Sequence, residues 1–205
     1  MTIHRFPISR SLIATAFALA VASPLFAQGM GMGRTTRKPI SVVVSGGLTV
    51  PAGDLKDLHD SGFHYDGSVI FSIPGLPFAI RPELSLTTLK LKTPALNTGL
   101  PQGAYSADGD QTRLLAGIGN IEFPLAGGLY LIGGVGAMNL KTTLAGATSD
   151  SSATNLMLDA GAGFRFNLSR IAGFVEGRIG TASYEKGKFG YSKAQFIPIT
   201  FGLVF

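Results

Sequence analysis

Counting back from Phe205, every second residue of the final stretch is large and apolar: Leu203, Phe201, Ile199 and Ile197. The residues between them, Val204, Gly202, Thr200 and Pro198, are smaller or polar apart from Val204. A period of two puts the first set on one face of a strand and the second on the other. Terminal residues of soluble domains usually fray into water. Here the apolar pattern runs to the last residue, as expected of a strand that closes a transmembrane β-barrel and faces lipid.

Seven further stretches precede it. The first, 40–50, sets Ile40, Val42, Val44 and Leu48 against Ser41, Ser45 and Thr49. The second, 62–73, sets Phe63, Tyr65, Val69, Phe71 and Ile73 against His64, Asp66, Ser68 and Ser72. The third, 78–90, sets Phe78, Ile80, Leu84 and Leu86 against Arg81, Glu83, Ser85 and Thr87. The sixth, 155–166, opposes Leu156, Leu158, Ala160, Ala162, Phe164 and Phe166 to Asp159, Gly161, Gly163 and Arg165. The seventh, 172–183, opposes Val175, Gly177 and Ile179 to Glu176 and Arg178. The fourth, 111–123, and the fifth, 129–141, are Gly-rich and apolar on both faces, so their inside and outside stay open. The phase that Asn120 and Glu122 suggest for the fourth also turns Leu114 and Ile118 inward. Stretches near ten residues fit a tilted membrane crossing.

The links alternate in length. After the even stretches they are tight, at 74–77, 124–128 and 167–171; after the odd ones they are longer, at 51–61, 91–110, 142–154 and 184–194. Short periplasmic turns and longer outer loops are the pattern of outer-membrane barrels, and an even strand number puts both termini on the periplasmic side. Phe71, Phe78, Phe123, Tyr130, Phe164, Phe166, Phe174 and Phe205 fall near one end, and Phe63, Tyr65 and Tyr184 near the other. Two such bands predict interfacial girdles, although Phe174 reads as inward by phase. Pro82 and Pro198 lie inside strands, and each predicts a bulge or a missing ladder bond.

The N-terminal segment completes the division into parts. His4, Arg5 and Arg10 precede an apolar run over 11–21, and Phe26-Ala27-Gln28 offers cleavage after Ala27, the features of a secretory signal peptide over 1–27. Residues 28–38 read as a flexible periplasmic leader, whose Met30 and Met32 are too few for a metal site, and 39–205 as the barrel. The absence of Cys excludes disulfides and thiolate chemistry. Charged residues make up 14% of the chain against about 25% in an ordinary soluble domain, so much of the exterior is expected to meet something other than water. The positive charges are scattered singly, which gives no nucleic-acid surface, and no metal or cofactor is expected.

Particular runs carry a family likeness. Gly46-Gly47-Leu48-Thr49-Val50-Pro51-Ala52-Gly53-Asp54-Leu55 resembles the first strand and loop of small bacterial outer-membrane barrels. Phe78-Ala79-Ile80-Arg81-Pro82-Glu83-Leu84, Gly161-Ala162-Gly163-Phe164-Arg165-Phe166 and Phe174-Val175-Glu176-Gly177-Arg178 look like later strands of the same superfamily, with its OmpX-like, OmpW-like and OmpA-transmembrane-like domains. The resemblance implies an all-β, eight-stranded antiparallel up-and-down transmembrane barrel in the bacterial outer membrane. It also implies that Ile197, Ile199, Phe201, Leu203 and Phe205 form the signal read by the barrel-assembly machinery. The partners expected are that machinery and outer-membrane lipid, with the barrel itself a monomer.

An eight-stranded barrel is just wide enough for side chains to fill it. By phase, Arg81, Glu83, Glu122, Arg165, Glu176 and Arg178 point inward near one end, three arginines against three glutamates. The reading this favours is a non-catalytic structural or surface protein with a polar, side-chain-filled interior. A narrow conduit for small or hydrophobic solutes is the alternative. A lipid A-modifying enzyme is the weaker one: His64, Asp66 and Ser68 alternate on one face, but alternate residues lie ~7 Å apart, beyond the reach of a catalytic relay. A soluble lipocalin-like carrier would put apolar residues inside and charge outside; with Arg and Glu on the inward face, the continuous apolar face left in water would be a very large exposed patch.

Overall fold

The computed structural model describes residues 38–92, 111–143, 151–184 and 193–205, so the expected signal peptide, most of the leader and its two methionines lie outside the described residues. The strands are β1 (Ile40–Ala52), β2 (His59–Ser72), β3 (Ala79–Leu91), β4 (Gln111–Pro124), β5 (Leu129–Thr143), β6 (Ser151–Leu168), β7 (Ile171–Ser183) and β8 (Lys193–Val204). Each pairs antiparallel with the next, and β8 returns to β1 to close the barrel. At the seam the Phe205 amide donates to the Val42 carbonyl at 2.9 Å, and the Val42 amide donates to the Phe205 carbonyl at 3.3 Å.

Several strands outrun the sequence ranges at the long-link end. Residues 151–154, polar apart from Ala153, read as loop, yet their backbone pairs with residues 139–142. Side chains reinforce that pairing: the Asn139 amide donates to Ser152 Oγ at 3.0 Å and to Thr154 Oγ1 at 2.8 Å. The link read as 51–61 shortens for another reason. Gly53 turns the chain at φ +57°, and a single helical turn, α1 (Leu55–Leu58), leads directly into β2.

The alternation decides the faces. Leu84 is 68% exposed, whereas Arg81 and Glu83 on the same strand are 0% and 6% exposed. In β4 the phase set by Asn120 and Glu122 holds, with Leu114, Ala116 and Ile118 also buried inside. In β5, Tyr130, Ile132, Met138 and Leu140 point inward, and Leu129, Leu131, Val135 and Ala137 outward. This corrects the aromatic bands. Tyr130, Phe174 and Tyr184 are interior residues, Tyr184 donating its hydroxyl to the Met138 carbonyl at 3.3 Å. Exposed Phe63 and Tyr65 remain at the long-link end, and Phe71, Phe123, Phe164, Phe166 and Phe205 at the other.

Both prolines interrupt one ladder and leave the other intact. Beside Pro82 the β2–β3 pairing skips from Ser68↔Glu83 to Phe71↔Ile80, while β3–β4 runs through Pro82↔Gly119. Beside Pro198 the β7–β8 pairing skips from Gly177↔Ile199 to Gly180↔Phe196, while β1–β8 runs through Thr49↔Pro198. A residue's N–H points to only one neighbouring strand, so its loss costs one seam.

Candidate functional site: the filled interior

The interior is layered. At the tight-turn end, Val43, Ile70, Ala79, Phe174 and Val204 form a small apolar cluster. The Arg81 guanidinium lies 5.3 Å from the Phe174 ring centre, and the Arg165 guanidinium 5.0 Å from that of Tyr130.

Above this cluster stand the charges. Inward positions are two residues apart, so β3 presents Arg81 and then Glu83, while β7 presents Glu176 and then Arg178. Both strands run the same way along the barrel, and the two orders are opposite, so an arginine meets a glutamate at each height. Arg81 Nη1 donates to Glu176 Oε2 at 2.9 Å, and Arg178 donates to both oxygens of Glu83, at 2.9 and 2.7 Å. Neighbouring contacts join the levels: Arg178 Nε to Glu176 Oε1 at 2.6 Å, and Arg81 Nη2 beside Glu83 Oε2 at 3.3 Å. Glu122 accepts from Arg165 at 3.0 Å and lies 3.9 Å from Arg81. All six charged residues singled out in the sequence therefore meet in one network. Arg165 sits at its edge, with its side chain 21% exposed.

Three more residues belong to it. Asp159 accepts from Arg178 at 2.8 Å, the Tyr130 hydroxyl donates to Glu176 at 2.7 Å, and Ser68 accepts from Arg81 Nε at 3.0 Å. Asp159 corrects the balance of three against three: the network holds four carboxylates and three guanidiniums. The signal for it was present, since Asp159 shares the inward phase of Arg165. Tyr130 was hidden by the open phase of the fifth stretch. Desolvating so many charges is costly, and paired, hydrogen-bonded geometry is what makes it tolerable.

Next comes His64, 1% exposed, with Nδ1 2.9 Å from Thr49 Oγ1, Nε2 2.9 Å from Thr200 Oγ1, and Asp66 at 3.4 Å. Of the three residues weighed as a relay, His64 and Asp66 thus come within 3.4 Å although alternate backbone positions lie ~7 Å apart, because the side chains lean toward each other. Ser68, two residues beyond Asp66, turns to Arg81 instead, so its hydroxyl does not join the pair, and all three sit inside the barrel. Between this level and the charges lies a cavity of about 20 Å³ lined by residues that include Asp66, Glu83, Asp159 and Arg178. That is room for about one water. Among the described residues no group of three or more His, Asp or Glu is placed to hold a metal.

The long-link half of the interior is apolar, contrary to the polar filling expected. Leu89, Leu114, Met138, Leu140, Met157 and Phe196 pack there, and α1 drops Leu55 onto them at 0% exposure. His59 fastens this cover, Nε2 lying 2.8 Å from Thr112 Oγ1 and Nδ1 3.3 Å from the Leu55 carbonyl.

Comparison with solved structures places this architecture. Neisserial surface protein A superposes with a TM-score of 0.55 at 12% identity, covering 82% of this chain and 96% of that one. Ail, the attachment invasion locus protein of Yersinia pestis, gives 0.53 at 12% identity over 81% and 97%. A major outer membrane protein from Thermus thermophilus gives 0.51 at 12% identity over 82% and 99%. The chain has the fold of the small outer-membrane β-barrels. No model of a protein family matches the sequence, and no curated protein does. At such identities the likeness carries the architecture alone, so what this barrel does must be argued from its own interior and surface.

Proposed function

We propose that this chain is an integral outer-membrane barrel with a structural or surface role, a closed interior and no catalysis. The observation that carries the reading is the pair of ion bridges Arg81–Glu176 and Glu83–Arg178, which reach across the lumen at two heights. A solute would have to part them and also displace the apolar layer beneath Leu55, so the conduit is the weaker reading. A lipid-modifying activity finds no support in His64, whose two ring nitrogens are engaged by threonines. Membrane residence is supported by the outward face, where Val44, Leu84, Leu115, Leu156, Ile179 and Phe201 are each more than half exposed. A face of that kind in water would be a very large apolar patch. On this reading the signal peptide is cleaved after Ala27, the long links face the cell exterior, and both termini lie in the periplasm. The terminal strand recruits the assembly machinery, and the barrel works as a monomer among outer-membrane lipids. Planar-bilayer recording of the purified, refolded protein tests closure: no unitary conductance is expected, and stable ohmic steps would replace this reading with the conduit.

A further inference from the structure

One carboxylate of the interior network is less well matched than the others. Glu176 accepts from Arg81, Arg178 and Tyr130, and both oxygens of Glu83 accept from Arg178. Glu122 answers to two guanidiniums, those of Arg165 and Arg81. Asp159 has Arg178 alone, which it shares with Glu83 and Glu176. Its Oδ2 accepts from Arg178, while its Oδ1 has no hydrogen-bond partner. The register puts Asn120, Gly134 and Asp159 in one row across β4, β5 and β6. A Cβ at Gly134 would fall on Asn120 Oδ1 and stand 2.7 Å from Asp159 Oδ1, so the glycine opens the place where the two oxygens lean together. Asn120 is 0% exposed and Asp159 7%, and neither atom of the Asn120 amide has a partner. Two buried acceptors therefore share one gap, and neither has a donor.

We infer that this gap binds a proton, carried on Asp159 Oδ1 and donated to Asn120 Oδ1. A buried acceptor left without a donor is costly, and one proton here satisfies both oxygens at once. A protonated carboxyl keeps its acceptor capacity, so Asp159 Oδ2 goes on accepting from Arg178. The proton also supplies the missing positive charge. Four carboxylates stand against three guanidiniums, and an unmatched charge in an enclosed interior is neutralised rather than kept. Turning the Asn120 amide round would aim its NH2 at Asp159. That alternative leaves the Asn120 oxygen without a donor and the charge uncorrected. From the remaining sides Asp159 is faced by Gly180 on β7 and, around the small cavity, by Asp66, Glu83 and Thr200. Asp66 is turned toward His64, so it brings no further cation to Asp159. The proton is taken from solvent as the barrel closes, and no covalent bond of the chain changes except the new O–H.

Infrared spectroscopy of the purified, refolded protein at neutral pH tests the site. A protonated carboxyl has a C=O band apart from the amide and carboxylate bands, and that band moves when the protein is refolded in heavy water. One such band is expected. Carbon-13 labelling of aspartate carboxyls should shift it and labelling of glutamate should not. It should vanish in Asp159→Asn and persist in Asp66→Asn. Asn120→Leu, which removes the acceptor, should move it to higher frequency. Absence of the band from the unaltered protein would overturn the inference in favour of a turned amide beside an ionised Asp159. A band that follows the glutamate label would overturn it in favour of Glu122, and one lost in Asp66→Asn in favour of the far side of the cavity. An unmoved band in Asn120→Leu would also overturn it. Should Asp159→Asn fail to refold, the labelling and the Asn120 variant still decide.

Discussion

Arg81 and Glu176 meet across the barrel at 2.9 Å, and both side chains are fully enclosed, at 0% exposure each. Two residues further along their strands, Glu83 and Arg178 repeat the contact with the charges exchanged. Either strand alone presents an adjacent pair of opposite charges. Only β3 and β7 together, at this relative height, give each charge a partner on the far wall. Shifting one strand by two residues would keep every side chain on its proper face and set arginine against arginine. The exchange therefore guards against a slip that the hydrophobic pattern would permit.

Removing one member should strand the other. Arg81→Leu leaves Glu176 and Glu122 short of a cation and is expected to cost about 3–5 kcal/mol, the range for a broken buried pair. Adding Glu176→Gln should restore part of that loss. Reversible urea unfolding in lipid vesicles measures both variants, and simple additivity would contradict the pairing.

Leu158 faces outward on β6 and is 51% exposed. If that face meets hydrocarbon, Leu158→Arg should destabilise the barrel by about 2–4 kcal/mol, as for arginine near the bilayer midplane. The same vesicle assay reads it. A neutral result would mean that this surface faces water.

Leu55 is the deepest residue of α1, packed on the apolar layer. Leu55→Ala should cost about 2–5 kcal/mol, as when a buried leucine is cut back. Because α1 lies between two strands and outside the ladders, the barrel itself should still form, with full β content by circular dichroism. Loss of less than about 0.5 kcal/mol, the usual span of surface substitutions, would show that α1 is not part of the core.

Orientation can be read in whole cells. An epitope inserted at Thr98-Gly99, in the link from β3 to β4, should be labelled on intact cells, and one at Ala126-Gly127, in the turn from β4 to β5, only after permeabilisation. The opposite pattern would invert the barrel in the membrane.

Most of the architecture was legible because one simple rule, a period of two, governs every strand of a barrel. It fixed the inward phase of Arg81, Glu83, Glu176, Arg178 and Arg165 from their own neighbours. It failed at Tyr130, where Leu129 and Leu131 on one face and Ile132 on the other give no contrast to read. It reached the apolar half of the interior only in β4, where the phase of Asn120 and Glu122 turned Leu114 and Ile118 inward. Met138 and Phe196 look like lipid-facing residues to any rule that equates apolar with outside. Their placement depends on the cover formed by Leu55, a contact between parts of the chain far apart in sequence. The bridges across the lumen were invisible for a similar reason: phase gives the side of a strand, and only the assembled register gives the height.

The seam between Val42 and Phe205 joins the beginning of the first strand to the last residue of the chain. Each other seam is made by strands that follow one another and can zip as hairpins soon after both exist. This one has no local route: its two halves meet only after everything between them has been laid down. Closure is the contact with the largest loop to shut, and such contacts are the slow ones. Until it happens, β1 and β8 both present open edges, the state most prone to pairing with another chain. The molecule's vulnerable interval is therefore set by how quickly its tail finds its head.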